Sequence, residues 1–353
     1  FAANKSFYDP TTKLLNVSDG TTVVKIQMVG TYAASDFTFA SDGKGGTLVT
    51  DKLPPAAPSE ASATGDSYVV VEGATLAIGT AVSLLLNDTG AAAATLKSGP
   101  AHGALALSDD GTFTYTPAAG FAGVDSFSYE AGSGGGASEG QVLVYVAPTH
   151  GGTLNVTALA GEAQIAALYT AFFDRAADAA GFEFWLNELD AAVPTQGSAA
   201  VLANIASAFA ISGEATALYS FLAHPNGANA GQIGAFLDTV YGNLFNRTAD
   251  EAGRAYWTTQ VEKTLAAGGF VGEVLVDIMS GARDTAAGHD ITTLMGKVAV
   301  SLEYVQQQKL HHTEWAGAAD IAAATALLQD VTSDPASVLL GIRNADLLLA
   351  EHG

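Results

Sequence analysis

A helical unit is written twice in this chain, seventy-two residues apart, and this repetition limits the possible folds more than any other feature. The first copy runs through Ile165, Leu168, Tyr169, Phe172, Phe173, Asp174 and Arg175 and continues to Asp178, Gly181, Phe184 and Trp185. The second runs through Leu237, Val240, Tyr241, Leu244, Phe245, Asn246 and Arg247 and continues to Asp250, Gly253, Tyr256 and Trp257. Tyr, Arg, Asp, Gly and Trp recur at fixed offsets, and the residue before each Trp stays aromatic. One supersecondary design used twice builds a common core. The shared residues do not form a pattern suited to bond-breaking chemistry.

Within each copy the apolar residues fall at i, i+3, i+4, i+7 and i+8, which predicts one apolar stripe per helix facing a core. Arg175 and Arg247 are expected at helix ends, where a cation complements the exposed carbonyls. Asp178 and Asp250 are expected in the first turn of the following helix. Thr248 and Glu251 predict a capping box in the second copy. Ala176 stands where that Thr would be, so a weaker cap is expected in the first. Trp185 and Trp257, two turns further on, are expected on the buried face. More helices are predicted over about 198–210, 212–223, 270–282, 291–308, 317–330 and 335–350, the last opened by Asp334-Pro335.

Upstream of residue 160 the period is two, so the chain reads β then α. Residues 1–51 read as strands: Leu14–Val17, then the turn signal Asp19-Gly20, then Thr22–Val29, with a second turn at Asp42–Gly46 before Thr47–Thr50. Residues 52–66, with Pro54, Pro55 and Pro58, read as a linker. Residues 67–147 predict a β-sandwich with strands near 68–71, 81–85, 103–107, 112–115, 126–129 and 142–145. In it Phe113, Tyr115, Phe127 and Tyr129 alternate onto one buried face. The Gly/Ser-rich stretch 132–140 is expected as a loop. Residues 148–159 read as a second linker, and 160–353 as an all-α domain.

Composition excludes whole classes of function. Acids outnumber bases 36 to 14, for a net charge of −22. That opposes nucleic acid and anionic lipid, whose binders need basic surface. It favours hard cations, calcium above all. The chain has no cysteine, which excludes thiol catalysis, disulfides and thiolate metal sites. No window approaches the roughly 18 uninterrupted apolar residues of a membrane span. The chain opens on Phe1 without a signal peptide, which reads as the C-terminal part of a longer protein.

Three stretches resemble known families. Ser41-Asp42-Gly43, Gly45-Gly46-Thr47 and Val49-Thr50-Asp51 resemble the closing repeat of giant bacterial secreted proteins, of which 1–51 would be a β-rich remnant. Glu72-Gly73, Leu86-Asn87-Asp88, Gly99–Gly103, Asp110–Pro117 and Gly120–Tyr129 resemble the cadherin-like, immunoglobulin-type domains of bacterial adhesins. The Tyr, Arg, Asp, Gly and aromatic-Trp pattern of residues 160–308 resembles the domain of unknown function 4214, with Ala177 and Ala249 in place of its Pro. That family carries no established catalytic residues, so the resemblance implies no active site.

Glu72, Asn87, Asp88 and Asp125 are the candidate calcium ligands, because acidic residues at strand ends converge on the ion in calcium-dependent sandwich domains. Asn87-Asp88 is followed here by Thr89-Gly90-Ala91 and not by further Asp, so turn capping is the competing role. Asp174 and Asp178 lack the remaining ligands of an EF-hand. His311 and His312, before Thr313-Glu314, diverge on a helix and read as a surface pair. No nucleophile elbow, phosphate loop, zinc-protease motif or paired glycosidase carboxylates are present. The C-terminal run Val338–Ile342 and Ala345–Ala350 reads both as a last helix and as an uncleaved type I secretion signal.

These readings converge on a non-catalytic, extracellular bacterial surface protein, adhesive and self-associating. Cell-surface polysaccharide is the other expected partner. The runner-up is a carbohydrate-binding or accessory module of a secreted enzyme. An exposed aromatic platform would favour that alternative, and Trp315 is the candidate.

Overall fold

The computed structural model describes residues 5–28, 32–51, 61–133, 136–285, 288–312, 315 and 317–350. The chain divides into two units, Phe1–Glu60 and Ala61–Gly353. The expected linker segment with Pro54, Pro55 and Pro58, Val29, and Thr313-Glu314 lie outside the described residues.

The first unit is all-β. Strands β1 (Phe7–Asp9), β2 (Leu14–Ser18) and β3 (Val23–Gln27) form an antiparallel sheet in that order. Strands β4 (Phe37–Ser41) and β5 (Thr47–Asp51) form a separate hairpin. Both predicted turns are present. The Asp19 carboxylate accepts the N–H groups of Thr21 and Thr22 at 2.8 and 2.7 Å. The Asp42 carboxylate accepts those of Lys44 and Gly46, each at 2.8 Å. These are local side-chain-to-backbone bonds of the kind that make Asp a turn residue. The core is small, built on Tyr8, Leu15 and Phe37.

The second unit opens with a β-sandwich followed by helices. Its strands are β6 (Asp66–Val71), β7 (Leu76–Ile78), β8 (Ala93–Ser98), β9 (Gly103–Leu107), β10 (Phe113–Pro117), β11 (Gly123–Ser133) and β12 (Gly136–Ala147). One sheet has the order β7-β10-β9, the other β6-β12-β11-β8. β6 runs parallel to β12 and the other pairs are antiparallel. The predicted aromatic alternation holds: Phe113, Tyr115, Phe127 and Tyr129 are all buried between the sheets. Phe113 meets Tyr68 and Phe127 edge to face, with centroids 5.1 and 5.4 Å apart.

Two expectations fail here. Residues 81–85 form 3-10 turns over Thr80–Val82 and Leu84–Leu86, not a strand, and Leu84 is fully buried. A short apolar run does not by its periodicity distinguish a strand from a buried turn. The described residues of the expected loop at 132–140 are strand: β11 and β12 pair through Gly132↔Ala137 and Ser133↔Gly136. Low β-propensity is overridden there by the register that the apolar ends of the two strands impose.

The helical part begins within the second expected linker. Strands β13 (Thr149–His150) and β14 (Thr153–Leu154) form a hairpin, a 3-10 turn follows, and Leu154, Val156 and Leu159 are buried in the helical core. The helices are α1 (Gly161–Phe173), α2 (Ala179–Gln196), α3 (Ser198–Ala210), α4 (Gly213–Leu218), α5 (Ser220–Ala223), α6 (Ala230–Phe245), α7 (Glu251–Ala266), α8 (Val271–Ser280), α9 (Asp290–Leu310), α10 (Ala318–Gln329) and α11 (Pro335–Ala350). Between α8 and α9 lie the short strands β15 (Asp284–Thr285) and β16 (Gly288–His289). The N-cap expected at Asp334 is present, its carboxylate accepting from Ala336 N–H at 3.0 Å.

The single apolar stripe expected for each repeat helix does not describe α1. Every residue from Ala163 to Phe173 is buried, because α2, α3, α6 and α9 surround it. Ala163, Ala166, Ala167 and Ala171 let these neighbours approach on faces that carry no large apolar side chain. Asn243 Nδ2 on α6 donates to Ala171 O on α1 at 3.1 Å. These two residues hold equivalent places in the repeat, and contact between equivalent positions is what a two-fold relation produces.

The β6-β12 half of the four-stranded sheet is packed on both faces. Tyr68, Val70, Val144 and Val146 face the sandwich interior, while Val69, Val71, Tyr145 and Ala147 join the helical core. α9 and α11 lie against β6. Small sheet, large sheet and helices therefore form three consecutive layers. No helix among the described residues is long and apolar enough to cross a membrane.

Candidate functional site

The repeat loops carry matching polar constructions. At the end of α1, Asp174 adopts a left-handed conformation (φ 50°), and at the end of α6 Asn246 does the same (φ 56°). Asp and Asn tolerate this region better than other non-glycine residues and stop a helix there. The turn points the next residue, Arg, back across the aromatic side chains of its own helix. The Arg175 guanidinium lies 5.0 Å from the Tyr169 ring and 5.3 Å from Phe173. For Arg247 the distances are 5.1 Å to Tyr241 and 5.8 Å to Phe245. Each Arg also donates from Nη1 to the next carbonyl, Ala176 or Thr248.

Asp178 and Asp250 are the N-caps of α2 and α7, not first-turn residues. Each accepts from the glycine N–H three residues on, Gly181 or Gly253, at 2.7 Å. The capping box expected from Thr248 and Glu251 therefore does not form, because the helix starts later. Both copies are capped alike, and the weaker first cap expected from Ala176 is corrected. In the first copy the glycine has its own reason: a Cβ at Gly181 would strike the Tyr169 hydroxyl and the Asp178 carboxylate.

The principal partners of the arginines escaped sequence reading. Arg175 forms a fork with Glu214 on α4, at 2.7 and 2.9 Å, with Asp178 further away at 3.6 Å. Arg247 forms the same fork with Asp290 at the start of α9, at 2.8 and 2.7 Å. Glu214 and Asp290 lie at unequal distances along the chain from their arginines, so no repeat signal marks them. Lys297 of α9 is fully buried between the first loop and the last turn of α6. Its Nζ donates to Asn243 O at 2.6 Å and lies 3.8 Å from Asp174. Burial lowers the Lys297 pKa, with Asp174 opposing the shift.

Glu72, Asn87, Asp88 and Asp125 occupy three separate hydrogen-bonding environments. Glu72 accepts from Thr149 N at 3.0 Å. Asp125 is buried and accepts from Ala101 N, His102 N, Ser126 N and the Tyr115 hydroxyl. Burial pushes its pKa up, but those donors outweigh it and leave the carboxyl below its ordinary range. Asn87 and Asp88 stand beside Asp66, a residue the sequence did not single out. The Tyr129 hydroxyl lies 3.3 Å from Asp66 Oδ2 and 3.0 Å from Asp88 Oδ2. Burial, then the neighbouring Asp88, raises the Asp66 pKa well above the carboxylate range. Asp88 also accepts from Thr64 N at 2.7 Å, which anchors the segment entering β6. Among the described residues, no three His, Asp or Glu side chains are gathered for a metal.

Residues 55–146 match a protein-family model described as a bacterial Ig domain. The match covers the sandwich and supports an adhesin or surface-protein role. No curated protein matches the chain. The buried Asp66, Asp125, Tyr115 and Tyr129 and the half-buried Asp88 all belong to this Ig-like domain, where their hydrogen bonds tie turns to strands.

The tryptophans depart from expectation. Trp185 and Trp257 are half-buried, not buried. Trp315 is no free platform: it lies over Arg175, 5.0 Å from the guanidinium, and packs against the helical core.

Proposed function

We propose that the chain is a non-catalytic adhesive protein of the bacterial cell surface that self-associates through the open edge of its first unit. The Ig-like domain supports the surface role, and the resemblance of residues 160–308 to the domain of unknown function 4214 agrees with it. The observation that carries self-association is strand β3. All five of its residues are exposed, with Val23 at 49%, Val24 at 56% and Ile26 at 45%, and among the described residues it ends the order β1-β2-β3. An apolar edge strand with a free ladder edge is a template for pairing with another chain. A charge of −22 per chain opposes such pairing at low ionic strength, and calcium is proposed to relieve that repulsion.

Light scattering of the purified chain, in calcium and then in chelator, tests the reading. Species larger than one chain are expected, greater in calcium, with Ile26→Lys returning the mass to that of a monomer. A monomer in both conditions, or assembly indifferent to Ile26→Lys, would overturn it.

A further inference from the structure

The two copies of the repeat share their Tyr, Arg, Asp, Gly and Trp but differ in what closes the joint. In the first, the Phe209 ring of α3 closes the joint, with centroids 5.1 Å from Tyr169 and 5.3 Å from both Phe173 and Trp185. Matching Val201, Leu202 and Ile205 of α3 with Val274, Leu275 and Ile278 of α8 sets Ala282 opposite Phe209, beside Gly281. The second copy therefore has no ring at this point. A cavity of about 370 Å³ opens there instead, against Tyr241, Phe245, Trp257, Gly281 and Ala282.

The cavity keeps a fixed aromatic wall. Trp257 Nε1 donates to the Tyr241 hydroxyl at 2.8 Å, which sets the plane of the indole. A Cβ added at Gly281 would lie 3.6 Å from the indole, so the glycine leaves that edge open. Four charged residues stand around the cavity: Arg247, Arg283, Asp250 and Asp290. Their charges cancel. Arg247 and Asp290 neutralise each other in their fork, and one Asp250 oxygen is held by the Gly253 N–H. Arg283 is exposed and forms no ion pair among the described residues.

We propose that this cavity is a binding site for a neutral sugar, one hexose ring of a glycan. An apolar C–H face fits the indole wall, and hydroxyls match a rim of carboxylates and guanidinium groups with no net charge. A charged ligand would leave one rim charge unbalanced in a partly enclosed space, at a desolvation cost. The volume lies within the usual range for small-ligand sites, about 300–1,000 Å³. The site belongs to the second unit and does not depend on self-association through β3.

The test is titration of the full chain with methyl glycosides of glucose, galactose, mannose and N-acetylglucosamine at millimolar concentration, with glucuronate as the charged control. Tryptophan fluorescence and calorimetry are the readouts. Saturable binding of at least one neutral glycoside is expected, with a change in tryptophan emission. Ala282→Phe should restore the plug of the first copy, abolish binding and leave the thermal midpoint unchanged or higher. Arg283→Ala, at an exposed position that does not threaten folding, should weaken binding several-fold. The proposal falls if no neutral glycoside binds, if glucuronate alone binds, or if binding by a folded Arg283→Ala chain is unchanged.

Discussion

Arg175 and Arg247 hold the same place in the repeat, yet Arg175 has 4% of its side chain exposed and Arg247 has 39%. Their forks have nearly the same length, so the surroundings decide what each is worth. Removing one partner of a buried ion pair leaves an uncompensated charge and typically costs about 3–5 kcal/mol, whereas an exposed pair contributes about 0–1 kcal/mol. Arg175→Ala should therefore destabilise the second unit by about 3–4 kcal/mol, and Arg247→Ala by about 1 kcal/mol. Urea unfolding followed by far-UV circular dichroism measures both, and equal losses would contradict the burial argument. The repeated Arg was legible in the sequence. Its burial was not, because Trp315 and Glu214 reach it from elsewhere in the chain.

At the scale of elements, α3 and α8 cross closely. Gly272 of α8 stands against the backbone of Ala206 on α3, and a Cβ there would land on the Ala206 carbonyl. Backbone yields less readily than a side-chain tip, so Gly272→Ala should cost about 2–3 kcal/mol, the upper part of the overpacking range. An unchanged melting temperature in this variant would show that the helices slide apart at little cost. Periodicity made α3 and α8 visible along the chain, but not their pairing. Nor did it reveal that α1 would be enclosed on all sides, since alanine is compatible with exposed and buried faces alike.

Across the second unit as a whole, helix α11 rests on α9 and β6, and Asp346 of α11 faces Glu303 and Gln307 of α9 beside Asp66 of β6. Burial, then the nearby Glu303, pushes the Asp346 pKa up to about 7. The folded state thus holds the proton more tightly than the unfolded state, where the ordinary value is 3.8. The resulting contribution to stability is complete below that value and is lost as pH rises through about 7. Because Asp346 is only half-buried, screening reduces the effect to about 1–2 kcal/mol. Asp346→Asn should flatten the pH profile and be the more stable chain at pH 8, as read by urea midpoints at pH 5 and pH 8. A wild-type midpoint that rises between those values would contradict the assignment.

Read by itself, the sequence determined what depends on near neighbours. The change of period from two to 3.6, the Asp turns at Asp19 and Asp42, the alternating aromatics of the sandwich and the recurrence of Tyr, Arg, Asp, Gly and Trp all act over a few residues. Tertiary structure decided what depends on meetings between distant segments. It paired Gly132 and Ser133 with Ala137 and Gly136, drew the expected linker at 148–159 into the helical core, placed Asp66 beside Asp88, and dispersed Glu72, Asp88 and Asp125. It also filled one copy of the repeat with Phe209 and left the other open beside Gly281. Spacing along the chain carries local geometry, but burial and charge environment are set by whatever the rest of the fold brings alongside.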